Sequence, residues 1–213
     1  MSELLSNISE QLQKGKAAMV ETLVKQALDE GIPPKTILDD GLLAGMSVIG
    51  EKFKTNEVFV PEVLVAARAM NKGAALLKPA LAAEGVKARG TAVIGTVKGD
   101  LHDIGKNLVK MMMEGKGIQM IDVGVDVPAE KFFAAAKENN AQIICCSALL
   151  TTTMGEIKNV VDYIKGSELA GKVKIMIGGA PVTQSFCDQI GADAYTPDAA
   201  TASDVALEFC TGG

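Results

Sequence analysis

His102 is the only histidine of the 213-residue chain, and it lies in the segment Val97–Val109, which reads VKGDLHDIGKNLV. An imidazole can coordinate a metal through one ring nitrogen while the other donates to a carboxylate that fixes the ring. One histidine cannot form a tetrahedral zinc site, and the four cysteines contain no C-x-x-C pair. A single histidine does suit a metal whose other coordination positions are filled by a macrocycle.

Two neighbours of His102 are compatible with such a site. Asp100 can accept from the imidazole if the loop curls back, and Gly105 leaves room for a flat or bulky group near the backbone. An aspartate here can instead cap a helix, and Asp103 is the better candidate for that role. The glycine spacing does not match the dinucleotide fingerprint G-x-G-x-x-G, no Walker lysine motif is present, and this half has too few aromatics for a flavin sandwich.

Composition restricts the class of partner and the compartment. The formal net charge is -5 and the pI about 5.0, without a basic run, which argues against nucleic acid or membrane as a partner. No stretch has the roughly 18 apolar residues of a membrane helix, and the N-terminus does not resemble a signal peptide. Cys145 and Cys146 lie in an apolar run, which is typical of reduced, buried thiols. The cytoplasm is the expected location.

The N-terminal part, residues 1–85, has helical periodicity throughout. Apolar residues recur at helical spacing in four segments joined by short loops, which predicts a small antiparallel four-helix bundle. The fourth helix is expected to end at Pro79. The segment Lys78–Gly90, with proline, glycine and charge, is expected to be a linker and hinge before a second domain over residues 90–213.

After this linker the pattern changes to short apolar runs, each followed by a helical pattern. The predicted strands are Thr91–Val97, Ile118–Gly124, Ala141–Leu149, Val173–Gly179 and a weaker one at Ala192–Thr196, with a last helix to about Cys210. Strands apolar on both faces and alternating with helices predict an α/β fold with a doubly wound, parallel five-stranded sheet, flavodoxin- or Rossmann-like.

The ends of three strands carry polar or glycine-rich segments. They read KGDLHDIG, SALLTTTM and IGGAPVT, and they follow the first, third and fourth predicted strands. Parallel strands present their carboxyl ends at one edge, where such sheets bind ligands. We therefore expect these three segments to form one site.

These motifs resemble a known family. GDLHDIGKN, then S-x-L-x-T-x-T from Ser147 to Thr153, then GGAPVT are similar to the cobalamin-binding domain of methionine synthase. They resemble still more the corrinoid proteins of anaerobic systems that demethylate methylamines, methanol, methoxyaromatics or betaines. Gly50–Met70 is similar to the helical bundle that caps the corrin in that family. The resemblance covers nearly the whole chain and implies cobalamin, with its cobalt, as the cofactor.

The resemblance also implies roles for individual residues. His102 would be the lower axial cobalt ligand in base-off, His-on cobalamin, with Asp100 and Thr153 completing a catalytic ligand–carboxylate–hydroxyl relay; methionine synthase has serine in place of Thr153. The implied cofactor-binding residues are Gly99, His102, Asp103, Ile104, Gly105, Ser147, Leu149, Thr151, Thr153, Gly178, Gly179, Tyr195, Phe59 and Val63.

Several of these assignments have structural alternatives. Thr153 could cap a helix, Gly178 and Gly179 could form a tight turn, and Phe59 and Val63 could be bundle core instead of cap residues over the corrin.

The implied function is that of a corrinoid methyl carrier, the corrinoid subunit of a methyltransferase system without turnover alone. Its implied partners are a substrate-specific corrinoid methyltransferase, a corrinoid:tetrahydrofolate or coenzyme M methyltransferase, and a reductive activator. A cobalamin-dependent sensor or regulator is the alternative, although such proteins need an output module and the chain has neither spare length nor a basic patch. A subunit of a cobalamin-dependent mutase and a cofactor-free flavodoxin-like protein are the remaining alternatives.

Overall fold

A computed structural model of the chain describes residues 2–212, which divide into two compact units. The first contains the N-terminal helices to Ala88 together with Gly115–Gly117, and the second contains Arg89–Glu114 and the chain from Ile118 onward. Among the described residues, no helix combines the length and the apolar character that crossing a membrane requires.

The first unit is helical. Its elements are α1 (Glu3–Gln13), α2 (Ala17–Asp29), α3 (Pro34–Thr36), a π-helical turn (Ile37–Leu43), α4 (Ala44–Lys54) and α5 (Val60–Ala83). The backbone stays helical from α3 through the π-helical turn into α4, so these three segments form one helix and the unit has the four helices expected. Ile8, Leu12, Val20, Val24 and Leu42 are buried apolar residues of these helices.

Local sequence explains two of the helix starts. The hydroxyl of Ser2 accepts from the amide of Leu5 at 3.4 Å and caps α1. At the start of α5, the carboxylate of Glu62 accepts from the amide of Phe59 at 3.0 Å, which is half of a capping box.

The prediction that Pro79 ends the fourth helix is wrong. Helix α5 continues through Pro79 to Ala83, so the first part of the expected linker is helical and only Glu84–Arg89 separates α5 from β1. Proline removes one backbone hydrogen bond and crowds the preceding turn. The alanines that follow Pro79 have the highest helix propensity, and they favour continuation of the helix to Ala83.

The second unit is a sheet with helices on both faces. Its elements are β1 (Gly90–Val97), α6 (Ile104–Glu114), β2 (Ile118–Val127), α7 (Ala129–Glu138), β3 (Ile143–Ser147), α8 (Met154–Lys165), β4 (Lys174–Gly178), α9 (Gln184–Ile190), β5 (Ala194–Tyr195) and α10 (Ala199–Thr211). All pairings are parallel and the strand order is β2-β1-β3-β4-β5. The predicted doubly wound sheet is confirmed, although β5 has only two residues and α9 only seven.

The register aligns the carboxyl ends of the three central strands. Thr96 of β1 pairs with Ser147 of β3, and Ser147 pairs with Gly178 of β4. The strand order reverses between β1 and β3, and doubly wound sheets bind ligands at that point. The three polar segments therefore do meet at one edge.

The sheet core has two layers. One face of the strands packs Val93, Ile144 and Ile177 with Phe132 of α7, while the other packs Ile94 and Met176 with residues of α6 and α10. Cys145 and Cys146 are buried in β3, as predicted, and burial raises the pKa of the Cys145 thiol to about 12. These apolar layers hold the strand ends in fixed positions.

Candidate functional site

The loop after β1 folds back over its own strand. Gly99 has a φ of 79°, which favours glycine, and the amide of Asp100 donates to the carbonyl of Val97 at 3.1 Å. The hydroxyl of Thr96 donates to the carbonyl of His102 at 2.7 Å. The loop therefore curls back as the sequence required, and it holds Asp100 and His102 beside the end of β1.

The carboxylate of Asp100 lies at the centre of the site and is fully buried. Its Oδ1 lies 2.9 Å from Nδ1 of His102 and accepts from the His102 amide at 3.1 Å. Its Oδ2 accepts from the hydroxyl of Thr153 at 2.8 Å and from the amides of Leu149 and Leu150 at 2.8 and 3.3 Å. Both oxygens are therefore saturated by donors from two loops.

The hydrogen bonds keep Asp100 ionised despite its burial. Burial alone raises the pKa of a carboxyl group, but the bonds from the Leu149 amide, from His102 and from Thr153 outweigh it. The pKa of Asp100 is consequently held far below its ordinary range. The loop contains a fixed negative charge directly beside the imidazole.

The imidazole of His102 is held on one side and open on the other. Its side chain is 51% exposed, and Nδ1 is occupied by Asp100. Within residues 2–212, Nε2 makes no hydrogen bond. An ionised acceptor at Nδ1 favours the tautomer with the proton on Nδ1, which leaves the lone pair on Nε2. His102 thus offers one nitrogen for coordination.

Thr153 joins the site through its side chain and not as a helix cap. It occupies the residue before α8, yet its side chain makes no capping bond. Its hydroxyl lies 2.8 Å from Oδ2 of Asp100 and 2.9 Å from the carbonyl of Leu150. The three residues of the predicted relay are therefore in contact in the expected order.

Glycine occurs at the positions of the site for different physical reasons. A Cβ on Gly105 would meet nothing within 4 Å, so its surroundings are open. Gly179 has a φ of 127°, and a Cβ there would lie 1.8 Å from the carbonyl oxygen of Ala148. A tight turn is thus sufficient to explain Gly179, and Gly178 has only an ordinary contact. The predicted lining role of both stays a prediction.

The segments that contain His102 and the two amides bound to Asp100 also carry exposed apolar side chains. Leu101 is 71% exposed, Ile104 is 77% exposed, and Leu149 and Leu150 at the end of β3 are also exposed. Covering exposed leucine and isoleucine side chains with a ligand is favourable, because it removes apolar surface from water. These side chains, together with the open Nε2 of His102, fit a macrocycle that carries a metal.

The remaining predicted residues occupy varied positions. Asp103 is exposed, and its Oδ2 accepts from the side chain of Asn107 at 3.1 Å. Thr151 is exposed, and Ser147 and Tyr195 are half-buried at the ends of β3 and β5.

Phe59 and Val63, the predicted cap residues, differ in exposure. Phe59 is 61% exposed, whereas Val63 is fully buried, as expected for bundle core.

Sequence reasoning missed two contributors. The hydroxyl of Thr96 holds the carbonyl of His102, and the amides of Leu149 and Leu150 bind Asp100. A polar residue near the end of an otherwise apolar strand is a signal for Thr96. The backbone amides leave no trace in the sequence, because any residue except proline carries one.

Comparison with known proteins identifies the family of the chain. Residues 90–205 and residues 4–78 match two families, each described as a B12 binding domain. The dimethylamine corrinoid protein of Methanosarcina barkeri is 42% identical over 209 residues, which cover 97% of each chain.

Two solved structures share the fold. The methanol:cobalamin methyltransferase complex MtaBC of Methanosarcina barkeri has a TM-score of 0.90 at 32% identity, covering 100% of this chain and 81% of that one. A cobalamin-binding protein of Desulfitobacterium hafniense has a TM-score of 0.80 at 28% identity, covering 96% and 98%. The chain therefore belongs to the cobalamin-binding corrinoid proteins of methyltransferase systems, and cobalamin is its cofactor.

Proposed function

We propose that the chain carries a methyl group on cobalamin between two methyltransferases, and that His102 is the lower axial ligand of the cobalt. The single observation that carries the ligand assignment is the imidazole whose Nδ1 is held by Asp100 while Nε2 is open. When bound, the cofactor supplies a cobalt centre that accepts and releases a methyl group.

In this proposal the residues of the site orient the imidazole and hold its proton. Asp100 accepts a hydrogen bond from Nδ1 and fixes the orientation of the ring, as carboxylate partners of metal-bound histidines do. Thr153 and the amides of Leu149 and Leu150 keep that carboxylate in one position.

The proposed methyl donor is a methylamine, because curated relatives that match nearly the whole chain include dimethylamine corrinoid proteins. The proposed partners are a methylamine:corrinoid methyltransferase, a second methyltransferase that delivers the methyl group to tetrahydrofolate or coenzyme M, and a reductive activator. Contact of the corrin with the helical unit through Phe59, and the domain limits at 85 and 90, stay predictions.

The proposal is tested by reconstituting the purified chain with cobalamin and recording its visible spectrum. The wild type is expected to show base-off cobalamin with a histidine ligand, and His102→Ala is expected to lose that ligand. A base-on spectrum in the wild type, or an unchanged spectrum in His102→Ala, would contradict the assignment.

A further inference from the structure

The edge strand β2 is irregular where it approaches the His102 loop. Ile94 of β1 pairs with Asp122 of β2, whereas Val97 pairs with Val127. Over this stretch β1 advances three residues and β2 advances five, so β2 contains two extra residues in two register shifts. Bulges of this kind bend an edge strand and redirect a side chain, and they occur beside functional sites.

The redirected residue is Asp126. Its φ of 52° lies in the left-handed region, which side chains other than glycine rarely adopt and which aspartate and asparagine tolerate best. In this conformation its Oδ1 accepts from the amide of Gly99 at 2.7 Å, and its own amide donates to the carbonyl of Asp100 at 2.9 Å. Asp126 therefore holds both ends of the peptide segment that precedes His102.

We infer that Asp126 is a positioning residue for His102, acting through the Gly99–Asp100 segment; the inference rests on the proposed function. Asp100 is the residue that orients the imidazole, and its backbone is fixed on one side by the bond to Val97. The two bonds from Asp126 fix the other side. Without the carboxylate, Gly99 and Asp100 gain freedom, and the imidazole spends less time in the orientation that binds the metal.

An edge strand can also contain bulges only to prevent pairing with another chain. That purpose requires no carboxylate aimed at Gly99. The two explanations differ in one respect, because a positioning residue affects cobalamin only as long as His102 is present to coordinate it.

The test is a double-mutant cycle on the full chain, with the dissociation constant of cobalamin as the readout. Asp126→Gly removes the carboxylate and fits the left-handed backbone, so the unfolding temperature of the apo protein is expected to change little. Loss of one hydrogen bond predicts binding about fivefold weaker than wild type. In the His102→Ala background the same substitution is expected to change the dissociation constant less than twofold.

Two control variants accompany the cycle. Asp126→Asn retains an oxygen acceptor and tolerates the backbone, so binding is expected to stay within about twofold of wild type. Asn140→Gly replaces another residue with positive φ, 49°, at the turn after α7, and it is expected to change nothing.

The inference would be overturned if Asp126→Gly weakened cobalamin binding equally in the wild-type and His102→Ala backgrounds, or if it weakened binding in neither. The fraction of histidine-coordinated Co(II), read from the electron paramagnetic resonance (EPR) spectrum, provides a second measurement, and it should fall in Asp126→Gly. A wild type without any histidine coordination would contradict the proposed function itself, and with it the inference. A normal wild-type signal that is unchanged in Asp126→Gly would contradict the inference alone.

Discussion

At the scale of single residues, the site depends on a buried negative charge. Asp100 is fully buried, yet five donors from its own loop and from the segment after β3 satisfy its two oxygens. Hydrogen bonds to a charged group contribute about 1.5–3 kcal/mol each, and removing one partner leaves the others unsatisfied. Asp100 is therefore both the orienting partner of His102 and a structural connection between two loops.

Asp100→Asn is expected to lower the free energy of unfolding of the apo protein by about 2–4 kcal/mol at pH 7. The amide has no charge, and its NH2 group would face the N–H and O–H groups that now donate to the carboxylate. The pKa of Asp100 is lowered in the folded state, so its contribution is complete above the ordinary value near 4 and is lost as the pH falls below it. The difference in free energy of unfolding between the wild type and the variant should therefore become smaller in acid.

Denaturant unfolding at pH 7 and at about pH 3 measures this gap. Asp103→Asn is the matched control, since Asp103 is exposed and accepts only from Asn107 and its own helix, and it should cost less than about 0.5 kcal/mol. A constant gap across the pH range would contradict the assignment of a buried, ionised Asp100.

At the scale of elements, the parallel strands bring the three loops together. The amide of Ala148 donates to the carbonyl of Gly178 at 3.2 Å, and Gly179 passes directly against the backbone of Ala148. The close contact of the strand ends fixes the segment that presents the amides of Leu149 and Leu150 to Asp100. Packing of β3 against β4 thus has a direct consequence for His102.

Gly179→Ala is expected to destabilise the protein by at least 3 kcal/mol, because the new Cβ meets a backbone oxygen at 1.8 Å and the φ of 127° is strained for alanine. Gly155→Ala is the control: Gly155 lies in α8 with nothing within 4 Å of its Cβ position, so alanine should stabilise by about 0.5–1 kcal/mol. Thermal unfolding of both variants measures the difference. Similar melting temperatures for the two variants would contradict the close contact.

Much of the element order could be predicted from the sequence, because the change from helical spacing to short apolar runs is a strong local signal. The end of α5 was predicted wrongly, since a proline inside a helical pattern does not by itself end the helix when the residues after it have high helix propensity. The bulges of β2 were missed for a related reason, because strand register is set by pairing and Asp126 reads as an ordinary polar residue. The contact of His102 with Asp100 was predicted from their spacing, provided that the loop curls back. The contact of Asp100 with Thr153, 53 positions later, was predicted only through the family resemblance.

At the scale of the whole molecule, the described residues include one imidazole, half-exposed, in a loop that also carries the exposed apolar side chains of Leu101 and Ile104. The described residues contain no cluster of three or more histidine, cysteine, aspartate or glutamate side chains that could hold a further metal. Under the proposed function the chain presents its cofactor to other proteins.

The cobalamin-loaded chain alone is accordingly expected to show no demethylation of dimethylamine above a blank. Addition of a matching methylamine:corrinoid methyltransferase and a reductant should produce one methyl transfer per bound cobalamin. Chromatographic quantification of the demethylated amine measures both. Multiple turnovers by the chain alone would contradict the carrier function, and methyl transfer that also occurs with free cobalamin at the same rate would remove any role for His102.

Coordination of the cobalt by His102 can be tested most directly because the chain has a single histidine. The protein is produced with 15N-labelled histidine, loaded with Co(II) cobalamin and studied by EPR spectroscopy, with unlabelled protein as the reference. Because His102 is the only histidine, we expect the nitrogen splitting to change from a triplet in the unlabelled protein to a doublet in the labelled protein. A triplet in both samples would mean that the nitrogen on cobalt comes from the cofactor itself, and it would contradict the assignment of His102 as the ligand.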